Sequence, residues 1–284
     1  MGDRFSRSWL MIKHSMEILK QDRELLVFPL LSSIAAILVL ISFIPLFVLD
    51  AAMIEEQYQL NILALGLLYL AEYFVIFFFN TALVGAAMMR MDGGDPTVRD
   101  GLRIAWSKVG QILGYTIIAA TVGVLLRAIG ERFGIIGRII AGLFGMAWTA
   151  ASFLAVPVLV SRDLGPVDAV RESASLLKQT WGENIITNAG IGFVFMLIYV
   201  LAFIVIGLLI SIVMATGNLS LIVGIITLSV LGIIILGLIQ AALQGIFSAV
   251  LYRFATDGQQ TGGFSNDVLS RAFTPSLKYP GSIG

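Results

Sequence analysis

Six apolar runs, each long enough to cross a bilayer, decide what this chain can fold into. They cover residues 25–49, 60–89, 110–129, 139–160, 185–215 and 219–251. A hydrocarbon core about 30 Å thick needs roughly 20 apolar residues in helix. Within it every backbone N–H and C=O must be paired inside the chain, which a helix achieves and an open sheet does not. The sequence therefore predicts an all-α fold, a polytopic membrane bundle of six transmembrane helices. Only 13% of the residues are charged, against about 25% in a soluble domain. The last run has 33 residues. As helix it measures about 50 Å, so it must tilt or project beyond the bilayer.

The basic residues fix the expected orientation, because cytoplasmic loops collect lysine and arginine. Arg4, Arg7, Lys13, Lys20 and Arg23 precede the first run, and Arg90, Arg99, Arg103 and Lys108 fill the second connection. Arg162, Arg171 and Lys178 lie in the fourth connection, and Arg253, Arg271 and Lys278 in the tail. Together these are 15 of the 18 basic residues, leaving Arg127, Arg132 and Arg138 for the opposite side. The expected topology places residues 1–23, 90–109, 161–183 and 252–284 in the cytoplasm. Residues 1–252 then form one transmembrane domain and 253–284 a flexible cytoplasmic tail. The first 23 residues carry charges of both signs and no short apolar core before a small-residue site, so they do not read as a cleavable signal.

The cytoplasmic segments echo one another. Val98-Arg99-Asp100 stands twelve residues before Gly110, and Val170-Arg171-Glu172 twelve before Gly182. Residues 173–179 also match 15–21 without a gap. The pattern predicts three spanning hairpins, each preceded by a cytoplasmic amphipathic helix. In the first such helix Phe5, Trp9, Ile12, Met16 and Leu19 share one face at helical spacing, as in a helix lying in the headgroup region. A parallel repeat of this kind puts a pseudo-axis along the membrane normal.

The opening Arg4-Phe5-Ser6-Arg7-Ser8-Trp9 and the stretch Glu24-Leu25-Leu26-Val27-Phe28-Pro29 resemble the start of an uncharacterised prokaryotic family of six-helix membrane proteins. Val156-Pro157-Val158-Leu159, Gly165-Pro166 and Trp181-Gly182 resemble its second signature. The resemblance runs from the N-terminus to about Tyr252. It implies a domain of unknown function in a prokaryotic cytoplasmic membrane and supplies no catalytic residues.

Polar groups inside lipid are costly and tend to be functional, so they are the candidate site. Glu72 lies within the second run, where it is either an ion or proton site or a carboxyl that locks helices together. Arg127 is its conceivable partner, but Glu131 four residues on is the simpler one. A larger group lies nearer the cytoplasmic face. Gln240, Gln244 and Ser248 follow at i, i+4 and i+8 on the last run, beside Gly237, Ala241, Gly245 and Ala249. Asn184, Asn188 and Gly192 repeat the spacing on the fifth run, and Asn80 and Thr81 occupy the inner part of the second. Amides beside small residues either bond across tightly packed helices or line a polar vestibule. The sequence pairs Asn188 with Gln244 across the fifth and sixth helices.

Other chemistry finds no support. The chain has no cysteine and a single histidine, His14, outside every apolar run, which removes thiol nucleophiles and thiolate metal sites. No phosphate-binding glycine loop or dinucleotide fingerprint occurs. Asp92-Gly93-Gly94-Asp95-Pro96 lacks calcium-loop spacing and reads as a turn before a helix. No cofactor, metal or enzymatic activity is expected. The expected partners are membrane lipids, anionic headgroups included, with a second copy of the chain or a membrane-complex subunit also compatible. Nucleic acid is not expected, because basic residues are interleaved with acids. Two functions remain: a transporter or channel for a small solute or lipid, which is favoured, and a non-catalytic scaffold or accessory subunit.

Overall fold

Proline and glycine punctuate the long apolar helices, and the packing follows from where they fall. A computed structural model of the chain describes residues 15–50, 58–181 and 190–257. Residues 15–21 form α1, followed by a 3-10 turn at Arg23–Leu26. The remaining helices are α2 (Val27–Asp50), α3 (Tyr58–Met91), α4 (Val98–Ser107), α5 (Val109–Arg132), α6 (Gly134–Ser152), α7 (Ala155–Ser161), α8 (Pro166–Trp181), α9 (Gly190–Met214) and α10 (Leu219–Asp257). No strand occurs among the described residues. Six segments are long and apolar enough to cross a membrane: Arg23–Pro45, Ala64–Met91, Val109–Arg132, Gly134–Ser161, Val194–Met214 and Leu219–Arg253. They coincide with the six apolar runs to within several residues.

Two departures from the sequence reading have local causes. The third connection, expected over residues 130–138, shrinks to Phe133 alone. Gly134 takes φ +58°, a left-handed conformation that glycine adopts without a Cβ clash. Gly137 lets that turn close against the Ile129 carbonyl. The fourth span is not continuous either, because it breaks at Phe153 and Leu154 between α6 and α7. Pro157 explains the break, since its ring crowds the carbonyl four residues earlier, that of Phe153, and it donates no hydrogen bond. The freed Leu154 N–H donates instead to Ser173 Oγ on α8 at 2.9 Å. Both residues are fully buried.

Successive long helices pack in pairs, α2 on α3, α5 on α6 and α9 on α10. α3 and α10 also meet each other, and both meet α7, the short helix that follows α6. The charged segments dock beneath them. In α4 a capping box joins Thr97 and Asp100, and Glu24 Oε2 accepts the Val98 N–H at 3.0 Å from across the fold. Gly101 sits where a side chain would meet Phe28 and the Ala82 carbonyl, the latter at 2.8 Å. Ser15, Ile18 and Leu19 are buried in α1, Gly101 and Ala105 in α4, and Ser173, Leu176 and Leu177 in α8.

The core is confined to one end. Every buried hydrophobic residue lies in the part of its helix nearest the charged segments, as Leu25 and Phe28, Ala82–Met88, Ile112 and Tyr115, Leu154–Leu159, and Ala242–Tyr252 illustrate. Toward the other end the helices carry wide apolar exposure, reaching 61% at Leu38 and 71% at Leu228. On α9 only the stripe Ala202, Ile206, Ile210 and Val213 is half covered. On α10 the matching stripe is Ile222, Ile225, Ser229 and Ile233. Each of these outer halves therefore meets one neighbour along a narrow seam. Lipid chains are as apolar as leucine, so such a surface carries no penalty in a bilayer.

Candidate site: a polar cavity at the crossing of α3 and α10

A close crossing of two spans borders a cavity. At Gly245 on α10 an added Cβ would collide with Leu83 Cδ2 and come within 3.2 Å of Asn80 Oδ1, both on α3. Beside this contact lies a cavity of about 290 Å³. Ile76, Phe79, Asn80 and Leu83 of α3 wall one side, and Ala241, Gln244, Gly245 and Ser248 of α10 the other. Pro29 and Ser32 of α2 and Phe153 at the break complete it. The broken fourth span thus gives the cavity its aromatic wall.

Depth follows from helix rise. Asn80 precedes Arg90 by ten residues and Gln244 precedes Arg253 by nine, so both lie about 14–15 Å from the charged end. Half the thickness of a bilayer core of about 30 Å is the same distance. The lining also has a direction. On α3 it passes from buried Leu83 to exposed Ile76, and on α10 from buried Ser248 and Gly245 to exposed Gln244 and Ala241. On α2 it passes from buried Pro29 to half-buried Ser32. Toward the charged end the lining is buried, and toward the other end it is exposed.

Three of its four polar side chains are without a partner among the described residues. Thr81 and Ser33 donate their hydroxyl protons to carbonyls within their own helices, Phe77 O at 2.7 Å and Pro29 O at 2.9 Å. Ser248 does the same to Gly245 O at 2.8 Å, which leaves its oxygen free only to accept. The side chains of Asn80, Gln244 and Ser32 have no hydrogen-bond partner among the described residues. Asn80 and Ser32 are half-buried and Gln244 is exposed along the lining, so these groups are placed to take up water or a polar ligand.

The remaining sequence candidates fall elsewhere. Gln240 is half-buried one turn beyond Gln244 and is not part of the lining. Asn184 and Asn188 lie outside the described residues. Gly245 makes its close contact with α3, whereas Gly237 is the member of the stripe that faces α9, where an added Cβ would lie 3.8 Å from Tyr199 Oη. Glu72 is half-buried and has no ion-pair or hydrogen-bond partner among the described residues. It stands one turn beyond Ile76, outside the lining. Arg127 Nε pairs with Glu131 Oε1 at 2.7 Å, an exposed i,i+4 bridge. Ser32, Pro29 and Phe153 do not stand out in the sequence. The Ser32-Ser33 pair within an apolar run and the proline at 157 are the signals it offers for them.

A second, shallower cavity of about 620 Å³ lies at the charged end, between α3, α4, α7 and α10. Ion pairs bind the elements around it. Arg253 of α10 bonds Asp92 after α3, Arg162 bonds Glu172 at 2.7 Å, and Arg90 bonds Asp95 at 2.8 Å. Asp22 is buried beside this layer. One carboxylate oxygen caps Glu24 N at 3.1 Å, and the other has no partner among the described residues. Burial holds its pKa above the ordinary carboxylate value. Asp100 moves the opposite way, because the Thr97 hydroxyl and backbone N–H donate to it. No group of three or more metal-ligating side chains occurs among the described residues.

Over residues 59–264 the chain matches the model of a family of unknown function, DUF6159. The match starts after the first span, so the opening motifs that suggest a family lie outside it, and it continues past Tyr252 into the tail. No curated protein and no solved structure matches the chain.

Proposed function

The chain belongs to the family of unknown function DUF6159, and from that premise we propose that it is a non-enzymatic transporter or channel of a prokaryotic cytoplasmic membrane. It passes a small solute or lipid component through the cavity at the α3–α10 crossing. The observation that carries the reading is the set of unpartnered polar groups, Asn80, Gln244 and Ser32, in a cavity about halfway across the bilayer. Scaffolds have no need of such groups at that depth, where an unpaired polar atom opposes folding. Discontinuous helices beside a midplane site are a recurrent feature of transporters, and the break at Phe153 provides one here.

The architecture behind this reading is three hairpins, α2–α3, α5–α6/α7 and α9–α10, each entered from a surface helix, α1, α4 or α8. Supporting the repeat, Ser15, Gly101 and Ser173 occupy equivalent places in the echoed segments and all three are buried. The inner members of the hairpins meet around a common axis. Both termini lie in the cytoplasm, since the charged end bears most of the basic residues, and those residues face anionic headgroups. The cavity then opens outward. A second reading, a membrane scaffold that seats a second copy or a complex subunit, draws support from the thinly packed outer halves of α9 and α10. Purified chain in vesicles tests the choice. Transport requires solute flux above that of empty vesicles, and Gln244→Leu must abolish it without loss of stability. A chain that raises no flux of any small solute or lipid is a scaffold.

A further inference from the structure

We infer that the cavity accepts an uncharged ligand carrying hydroxyl or amide groups and rejects ions of both signs. The inference deepens the reading of this cavity as the solute site and rests on it. No lining residue is ionisable. On α3 the nearest charged group along the same face is Glu72, four residues before Ile76 and outside the lining. On the α2 side Glu24 is already engaged by Val98 N–H. Arg253 lies beyond a packed layer that includes Ile246 and Val250, and it bonds Asp92. An ion resting between Asn80 and Gln244 would therefore meet no countercharge about halfway across the bilayer, where charge is most costly.

The free groups also define a pattern. Asn80 and Gln244 each offer a carbonyl and two N–H donors, Ser32 offers both functions, and Ser248 offers only lone pairs. A complementary ligand must donate and accept, as polyols and primary amides do. Phe79, Phe153, Leu83 and Pro29 supply apolar surface for its C–H face. The cavity of 290 Å³ holds roughly ten waters' share of liquid volume, which suits a small solute or one uncharged lipid headgroup. Free polyol and the glycerol of a neutral lipid share this chemistry.

A cysteine-free chain makes the test direct. Ser248→Cys and, as a second position, Ser32→Cys are prepared in the full chain and embedded in zwitterionic nanodiscs. Each is reacted with methyl methanethiosulfonate and with its trimethylammonium-ethyl and sulfonatoethyl counterparts, with rates normalised to a peptide thiol. Ile34→Cys on the lipid-exposed side of α2 reports entry through lipid. The neutral reagent should modify the cavity cysteines about 100-fold faster than either charged one, the ratio set by carrying a charge to the bilayer centre. Glycerol or erythritol in solution, or diacylglycerol in the disc, should slow that reaction and leave Ile34→Cys unaffected. Protection by the soluble polyols alone identifies a free solute, and protection by diacylglycerol alone identifies a lipid. Equal rates for charged and neutral reagents would overturn the inference, as would protection by neither ligand. Neutral selection with polyol protection but no flux in vesicles would retain the ligand class and remove the transport reading.

Discussion

Replacing Gly245 by alanine measures how tightly the two spans that form the cavity cross. The added methyl would collide with Leu83 Cδ2, lie 3.1 Å from its Cγ, and stand 3.2 Å from Asn80 Oδ1. Leu83 is only 2% exposed, so it has little space into which to turn. Alanine gains about 1 kcal/mol over glycine in a helix interior, whereas overpacking a filled site costs about 1–3 kcal/mol. At Gly245 the sum runs from no change to a loss of about 2 kcal/mol. Gly232 lies on the same helix, and a methyl added there would meet nothing within 4 Å, so Gly232→Ala keeps the gain alone. The two variants should differ by about 1–3 kcal/mol in unfolding free energy, measured by denaturant titration of purified protein in one detergent. Equal stabilisation by both would show that α3 and α10 do not press together at Gly245. The cavity geometry built on that contact would then be wrong.

Ser173→Ala should destabilise by about 1–3 kcal/mol, because it strands the buried Leu154 N–H; Ser175→Ala, on an exposed bond to Gln179, serves as the control. Two carboxylates predict opposite pH responses in the same unfolding assay. Asp22 has a raised folded-state pKa, so its ionisation opposes folding above that value and the penalty is relieved as pH falls through it. Mild acidification should therefore stabilise the parent, and Asp22→Asn, which keeps the cap acceptor, should flatten that window. Asp100 has a lowered pKa, so its contribution is present above the ordinary carboxylate value and lost at still lower pH. Asp100→Asn should remove this second limb and leave the first. Finally, single cysteines at Ser107 and Thr216 should label with an impermeant reagent from opposite sides of the membrane, and same-side labelling would refute the topology.

Much of the fold is readable from the chain because the bilayer imposes one length and one backbone solution on every span. The six runs need no packing information, and neither does the turn at Asp92–Asp95, where Gly93 adopts φ +85°. Tertiary partners are less legible. A stripe such as Gly237, Ala241, Gly245 and Ala249 states that a neighbour approaches closely, but not which one. The structure divides it, with Gly237 toward Tyr199 and Gly245 toward Leu83. Asn80 and Gln244 stand out because amides are rare in such runs, yet only the crossing of α3 with α10 joins them at one depth. Ser32 does not stand out, since serine in a spanning helix usually bonds its own backbone, as Ser33 does. Pro157 announces a disturbance four residues upstream. That the resulting gap is closed by a hydroxyl from α8 depends on a contact 19 residues away in sequence.

Confining the core to one end of the bundle has a mechanical consequence. The outer halves of α9 and α10 are held firmly near the charged segments and beyond them only along a narrow seam, so a lateral force acts on each as on a long arm fixed at its packed end. The force on the long arm is the lateral pressure of the leaflet farther from the charged segments. A small change in that pressure, from a different acyl length or from tension during osmotic swelling, acts through about 20–30 Å of arm on α9 and α10. The shallow half of the membrane near the packed end should barely respond. Ile76 and Ala241, both exposed residues of the cavity lining, lie just past the packed end, on the side where such a force acts.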